Sequence, residues 1–171
     1  MKLKNALKSM LIILIIIGTY SCKEKNKTQS NEIEKKAKVF NFDNKTELSQ
    51  FNKLNLDETH PNLLNPQISK TDYNSVVDSW KDLHQNIGKY LSDKKFTWNV
   101  KDSTITIIQK FYFNKDGKIE NYFFRIKNKD VSKEKKEQFA NLISDFTKSN
   151  KIGFIKDKSF AQCGKAKYLN K

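Results

Sequence analysis

Apolar and polar positions recur with a helical period in two long segments of the chain. From Thr71 to Leu91 apolar residues return every three or four positions, which predicts a helix with one buried face. Thr71 is placed to cap its first turn, and the face would hold Val76, Val77, Trp80, Leu83, Ile87 and Leu91. A second helix is predicted after Ser132 as N-cap, with a buried stripe of Phe139, Leu142, Ile143 and Phe146.

Shorter segments alternate strictly and predict β-strands. In residues 104–113 the residues Ile105, Ile107, Phe111 and Phe113 would share one face, and in residues 118–126 the same holds for Tyr122, Phe124 and Ile126. Between them, residues 114–117 (NKDG) predict a tight turn in which Gly117 takes a positive φ. Further strands are predicted at 96–100, and a final strand pair at 152–155 and 160–168.

The order of these elements predicts an α+β fold, in which an antiparallel sheet of about four to five strands carries two helices packed on one face. The entry segment from Val39 onward mixes weak alternation with Pro61 and Pro66, which predicts a short strand or an irregular lead-in. We expect residues 39–171 to form a single globular domain.

The first 38 residues follow a different pattern. An apolar run from Met10 to Ile17 comes after Lys2, Lys4 and Lys8, an arrangement typical of a secretory signal peptide. The run is shorter than the roughly 20 residues that a membrane-spanning helix needs. Residues 23–38 (KEKNKTQSNEIEKKAK) contain few apolar side chains and predict a flexible tether. We therefore expect a signal peptide over residues 1–21 and a tether over residues 22–38.

Ser21 and Cys22 end the apolar run, and this junction resembles the cleavage site of bacterial lipoproteins; the whole chain is similar to small lipoproteins of the flavobacterial type. The resemblance implies a lipid on the Cys22 thiol, anchored in the outer membrane of the cell envelope on its periplasmic or its outer side. The chain departs from the family pattern at Thr19 and Tyr20, where leucine and a small residue are preferred. An ordinary signal peptide with a coincidental cysteine and an uncleaved anchor are the alternatives.

The predicted hairpin QKFYFNKDGKIENYFF, followed by a helix and a strand, resembles the ββαβ module of the TonB C-terminal domain. The likeness covers about 60 residues and depends mainly on the turn. The sequence shows neither the transmembrane helix nor the proline-rich spacer of TonB, so an energy-transducing role is not expected here.

The formal net charge of +14 at pH 7 favours anionic partners. Of the 33 cationic residues, however, Arg125 is the single arginine, and specific phosphate and base contacts favour the bidentate guanidinium group. We therefore expect no nucleic-acid partner. An envelope protein or an anionic polymer remains as the class of partner, in addition to the membrane itself.

Few side chains could carry chemistry. His60 stands beside Asp57 and Glu58 in DETHP, a group that could ligate a metal, but the spacing fits no zinc pattern. His84 is expected at the edge of the core rather than as a base. The sequence contains no glycine-rich phosphate loop, nucleophile elbow or paired-cysteine motif, so we expect no catalytic residue, no metal and no cofactor.

Cys163 is the most arguable residue of the domain, because lipid on Cys22 would leave it without a partner in the chain. Lys165 nearby would lower the pKa of an exposed thiol. Phe160 and Tyr168 instead predict a half-buried strand position, where cysteine is commonly an inert small apolar residue. An intermolecular disulfide is the third alternative.

Two classes of function follow from these residues. The first is a tethered, non-enzymatic binding or assembly module of the envelope. The second is a thiol-dependent or metal-assisted enzyme that uses Cys163 or the His60 loop. The first is favoured, because the second requires clusters of reactive groups that the sequence does not show.

Overall fold

The centre of the fold is a hairpin built from the two most regularly alternating segments. The computed structural model describes residues 36–170, and in it β2 (Thr104–Phe113) and β3 (Ile119–Ile126) pair antiparallel. Gly117 in the connecting turn has a φ of 79°, as predicted. A Cβ atom there would lie 2.8 Å from the backbone oxygens of Ile152 and Phe154, so both the conformation and the available space require glycine.

Two outer strands complete a four-stranded sheet in the order β1-β3-β2-β4. β4 (Phe160–Leu169) pairs antiparallel with β2, and β1 (Lys38–Asn41) pairs parallel with β3. The predicted α+β class is confirmed, and the sheet is mixed but mostly antiparallel. β1 can run parallel because a long helical connection separates it from the hairpin.

Two long helices cover the face of the sheet that we name the inner face, formed by the odd-numbered residues of β2. These helices are α3 (Tyr73–Asp93) and α4 (Lys133–Ser149), so the prediction of two helices on one face is confirmed. Their buried apolar residues include Val76, Leu83, Ile87, Leu91, Phe139, Ile143 and Phe146. Val77, Trp80 and Leu142, also predicted on the buried faces, are half-buried.

The two predicted helix caps had different outcomes. Ser132 caps α4 as predicted, because its Oγ accepts a hydrogen bond of 3.2 Å from the backbone N–H of Lys135. Thr71 does not cap α3, whose N-cap is Asp72. The Asp72 side chain leaves the helix end uncapped and instead accepts from Lys156 Nζ at 2.8 Å.

A helix that the sequence did not predict packs on the opposite, outer face of the sheet. After β1, Asn44 caps α1 (Lys45–Asn52), and its Oδ1 accepts from the backbone N–H groups of Thr46 and Glu47. Phe51 anchors this helix by stacking on Phe123, with ring centroids 4.1 Å apart. A single helical turn, α2 (Leu56–Thr59), follows.

Two predicted strands are wrong. Residues 96–100 form no strand, because Lys95 and Asn99 on either side of the buried Phe96 and Trp98 have left-handed φ values of 53° and 55°. Residues 152–155 also join no ladder, although Ile152 donates its N–H to Gly117 O at 3.0 Å. In both segments apolar side chains enter the core from irregular backbone.

The described fold begins before Val39. Ala37 is buried, and its N–H donates to Thr147 Oγ1 on α4 at 3.0 Å. Ala37 and Lys38, assigned above to the tether, therefore belong to the fold. The predicted signal peptide, Cys22 and the remaining tether up to residue 35 lie outside the described residues. Within residues 36–170, no helix has the length and apolar character required to cross a membrane.

Candidate functional site

A groove of about 790 Å³ runs between α3 and the C-terminal half of β4. We name it the α3–β4 groove. One wall consists of α3 residues that include Trp80, His84 and Gly88, and the other of β4 residues from Lys165 to Leu169. The irregular segment 95–98, which includes the buried Trp98, also lines the groove. The site therefore depends on three segments that are far apart in the sequence.

Two glycines shape the walls of this groove. A Cβ atom on Gly164 would lie 3.0 Å from the Trp80 ring, so the indole packs directly on the backbone of β4 at that point. A Cβ atom on Gly88 would meet no atom within 4 Å, which shows that this side of α3 faces open space. Trp80 thus joins the helix to the strand, while Gly88 leaves the adjacent wall unfilled.

A buried chain of hydrogen bonds supports the groove from inside. Tyr122 donates its hydroxyl to Gln109 Oε1 at 2.6 Å, so the Gln109 amide group faces Tyr168 Oη at 3.5 Å. The Tyr168 hydroxyl hydrogen is then free to donate to His84 Nδ1 at 2.6 Å. Every member of this chain has its orientation set by its neighbour, which makes the wall rigid.

Burial also sets the protonation states of this chain. It lowers the pKa of His84 to about 4 and raises the pKa values of Tyr122 and Tyr168. Near neutral pH all three groups are therefore uncharged. His84 Nδ1 is occupied by Tyr168, and Nε2 is buried without a hydrogen-bond partner among the described residues. His84 is thus placed as a support of the wall, at the edge of the core as predicted.

The rim of the groove is cationic. Lys81 and Lys89 pair with Asp78 and Asp93 on α3, at 3.3 and 2.5 Å. Lys95, Lys165 and Lys167 line the same groove. Within residues 36–170, none of these three lysines has a carboxylate oxygen within 4.0 Å of its Nζ atom.

A second cluster lies on the outer face of the sheet, at the N-terminal half of β4. Asp57 Oδ1 accepts from Lys110 Nζ at 2.5 Å and from the Tyr112 hydroxyl at 2.6 Å. Cys163 is the register partner of Lys110, and His60 packs edge-on against Tyr112 with ring centroids 5.5 Å apart. We name these five residues the Asp57 cluster. The fold therefore brings the predicted cysteine and the predicted histidine loop to one place.

The electrostatics of the Asp57 cluster oppose thiol chemistry. Burial raises the pKa of the Cys163 thiol, and the nearby charge of Lys110 does not compensate. Partial burial also opposes ionisation of Asp57, but hydrogen bonds from Lys110 and Tyr112 outweigh it and lower the pKa of that carboxyl. The cation that could activate a thiolate is thus already engaged by Asp57. Cys163 is half-buried and forms no disulfide within the described residues.

The DETHP segment does not assemble its candidate ligands. His60 is buried, and its Nδ1 lies 2.8 Å from Thr59 Oγ1 and 3.1 Å from Leu56 O. Asp57 points to Lys110, while Glu58 is exposed. Across residues 36–170, no three or more histidine, cysteine, aspartate or glutamate side chains are grouped as metal ligands.

No protein-family profile matches the sequence, and comparison with curated proteins and with solved structures finds no similar protein. The chain order β2, β3, α4, β4 is a hairpin followed by a helix and a strand, an order that the periodicity of the sequence predicts and that does not by itself test the likeness to the TonB module. Membership of that family and of the lipoproteins therefore stays a prediction.

Proposed function

We propose that the protein is a lipid-anchored, non-enzymatic binding or assembly module of the bacterial cell envelope, which holds a protein partner in the α3–β4 groove. The observation that carries the proposal is the groove of about 790 Å³ between a helix and a strand. Its size falls within the range of about 300 to 1,000 Å³ that is usual for ligand-binding sites.

The side chains of the groove suit recognition of a protein. Trp80, which is half-buried, provides aromatic surface, and the buried Trp98 and Tyr168 support the walls behind it. Aromatic residues are enriched among the energetically dominant contacts of protein interfaces. The hydrogen-bonded chain behind Tyr168 holds that wall in one arrangement. A rigid site loses less conformational entropy when a partner binds.

The reactive groups of the chain favour binding over catalysis. Neither nitrogen of His84 is available at the groove surface. In the Asp57 cluster, the raised pKa of Cys163 disfavours the thiolate that a nucleophile requires. We therefore propose no catalytic residue, no metal and no cofactor.

The anchor is proposed from the sequence. Ser21 and Cys22 follow a short apolar run after three lysines, which supports lipidation at Cys22 and attachment to the outer membrane, on its periplasmic or its outer side. Stable attachment requires two or more acyl chains, since a single chain binds reversibly.

Metabolic labelling tests the anchor. Cells supplied with a clickable palmitate analogue should label the wild-type protein and not the Cys22→Ser variant, which should run as unprocessed precursor or soluble material. Label that remains on the variant would disprove acylation at Cys22.

Two substitutions at Gly88 test the groove. The full chain in lipid nanodiscs is used to select binders from a displayed library of random peptides. Gly88→Phe should fill the open wall and weaken the selected peptides at least tenfold, as measured by fluorescence polarisation. Gly88→Ala is the matched control, because its Cβ meets no neighbouring atom, and it should leave affinities within twofold. Peptides that bind both variants as well as wild type would contradict the proposed site.

A further inference from the structure

The outer edge of β4 changes character at its midpoint. β4 is an edge strand, and at Ala161 the backbone N–H donates to Pro61 O at 2.9 Å while its C=O accepts from Leu63 N–H at 2.8 Å. Cys163 N–H donates to Asn62 Oδ1 at 3.0 Å. Odd-numbered residues of β4 therefore direct their backbone groups away from β2. Beyond Cys163, the N–H groups of Lys165, Lys167 and Leu169 have no hydrogen-bond partner within residues 36–170.

The chain itself shows what this edge accepts. Asn62 pairs with Ala161 as an isolated parallel bridge, so one residue of extended backbone already sits beside β4. The chain then turns away, and Leu64 lies against Gly164. The segment from Lys165 to Leu169 remains open over about 17 Å, the length of five extended residues, and the α3–β4 groove lies directly beside it.

The two faces of β4 differ along this open segment. Ala166 and Tyr168 are on the inner face with the groove, because Tyr168 bonds to His84 of α3. Lys165 and Lys167 alternate with them, and their register partners on β2 are Ile108 and Thr106 of the outer face. A strand added to this edge would place alternate side chains into the groove and the intervening ones beside the two lysines.

We infer that the groove binds its partner by strand addition: an extended segment of about five residues, with apolar and acidic residues in alternation, pairs with Lys165–Leu169 of β4. The inference rests on the proposed function and specifies the partner's chemistry. The exposed backbone donors and acceptors supply affinity that does not depend on sequence, and the groove and the lysines select the side chains.

Charge selects an acidic segment over a second copy of the chain. Two β4 edges placed side by side would bring Lys165 and Lys167 of both copies together, and like charges on neighbouring strands oppose pairing. Ile108, between Arg125 and Lys165 in the register, is exposed and adds no acidic group. Glutamate or aspartate side chains would complement this surface.

The test uses five synthetic heptapeptides and the full chain in nanodiscs. The first alternates glutamate with leucine or isoleucine, the second has the same residues in two blocks, and the third replaces glutamate with lysine. The fourth and fifth repeat the first with N-methyl groups on alternate backbone amides, on the odd-numbered amides in one peptide and on the even-numbered amides in the other. We expect the first to bind at least tenfold more tightly than the block, lysine and one of the N-methylated peptides, and to slow hydrogen exchange at Lys165, Lys167 and Leu169. The other N-methylated peptide, whose methyl groups face away from β4, should bind nearly as tightly as the first, because only every second N–H of an added strand faces its neighbour.

Two double variants distinguish the effect of the two groove lysines on affinity from the effect of the overall positive charge. Lys165→Gln with Lys167→Gln should weaken the acidic peptide at least fivefold and flatten the salt dependence of binding. Lys129→Gln with Lys158→Gln removes two exposed lysines outside the groove and should change affinity less than twofold.

Three outcomes would overturn strand addition. Both N-methylated peptides could bind as tightly as the first, exchange at the open edge could stay unchanged on binding, or protection of that edge could rise with protein concentration alone, which would identify a second copy as the occupant. In the first two cases, weaker binding of the peptide to the Gly88→Phe variant would still support the groove as a binding site. If peptide affinity were also unchanged in the Gly88→Phe variant, the result would contradict both the proposed function and the inference.

Discussion

The two halves of β4 offer the clearest contrast in the molecule. Around Ala161 and Cys163 the strand is paired with β2 on one side and held by residues 61–63 on the other. From Lys165 to Leu169 it is paired on one side and open on the other, beside the α3–β4 groove. The closed half lies beside the Asp57 cluster, to which it contributes Cys163, and the open half lies beside the groove.

This contrast teaches that residue chemistry and accessibility can be separated within one strand. In the closed half, the hydrogen bonds among Asp57, Lys110 and Tyr112 satisfy groups that a catalyst would leave free. Beside the open half, Tyr168 donates its hydroxyl hydrogen to His84, and the backbone edge of β4 stays unpaired within the described residues. The reactive residues are therefore engaged within the fold, and under the proposed function recognition would depend on shape and charge.

The largest expected effect compares the core with the groove wall. Phe111 is fully buried on the inner face, and Phe111→Ala should lower the free energy of unfolding by about 3 to 5 kcal/mol. Trp80 is half-buried where it lines the groove, so Trp80→Ala should cost less, about 2 kcal/mol. Urea denaturation of both variants, followed by circular dichroism, measures the difference. Equal losses would show that the groove wall is packed as tightly as the core.

The next effect concerns His84 and depends on pH. The folded protein holds this side chain neutral down to about pH 4, whereas the unfolded chain binds the proton near pH 6.5. The unfolded state therefore takes up more protons between these values. The free energy of unfolding should fall as the pH decreases from about 6.5 to 4, by about 3 kcal/mol from this residue.

His84→Asn tests this dependence, because its amide oxygen lies at the position of Nδ1 and can still accept from Tyr168, but the amide cannot titrate. Comparison at pH 8 accounts for the cost of the substitution itself. The profile of the variant should be flatter between pH 6.5 and 4 than that of the wild type. If the free energy of unfolding changed equally with pH in the variant and the wild type, His84 would be protonated as readily in the folded state as in the unfolded state. The groove wall would then not be closed to protons at His84.

The smallest expected effect is a labelling rate in the closed half. In a Cys22→Ser chain, Cys163 should react with iodoacetamide at pH 7.5 at least tenfold more slowly when folded than in denaturant, because burial raises the pKa of its thiol. Asp57→Asn should accelerate the folded-state reaction slightly, since the Asp57 charge also opposes the thiolate. Rapid labelling of the folded chain, with a midpoint below the ordinary thiol pKa, would instead support the thiol-dependent enzyme.

The elements that were predicted correctly are those that depend on interactions between residues close in the sequence. The hairpin and the two long helices depend on local periodicity and on caps and turns such as Ser132 and Gly117, so they could be predicted. α1 escaped prediction because its eight residues are largely polar and it is held by one ring, Phe51, whose partner Phe123 is remote in the sequence. Residues 96–100 were wrongly predicted as a strand, because Phe96 and Trp98 are both buried and their spacing of two matches the alternation of a strand.

The candidate site was harder to predict than the fold. The sequence predicts Trp80, His84 and Tyr168 in or at the edge of the core. Their contact with one another depends on the position of β4 at the edge of the sheet beside α3. The convergence of His60 and Cys163 on the Asp57 cluster is likewise a consequence of tertiary structure. Local signals did exist in Gly88, which leaves a gap in a helix, and in the alternation of Lys165 and Lys167 with Ala166 and Tyr168.

The strand order has a mechanical consequence. β1, at the N-terminal end of the described fold, and β4, beside the groove, form opposite edges of the sheet, about 14 Å apart across three strand spacings. A pull between a partner on β4 and the chain at Ala37 would therefore run across the strands and stretch each ladder in turn. The β1–β3 ladder covers four residues, whereas the β2–β4 ladder covers ten. Under tension β1 should detach first, so the domain would open at the N-terminal end of the described fold before the β4 edge is disturbed.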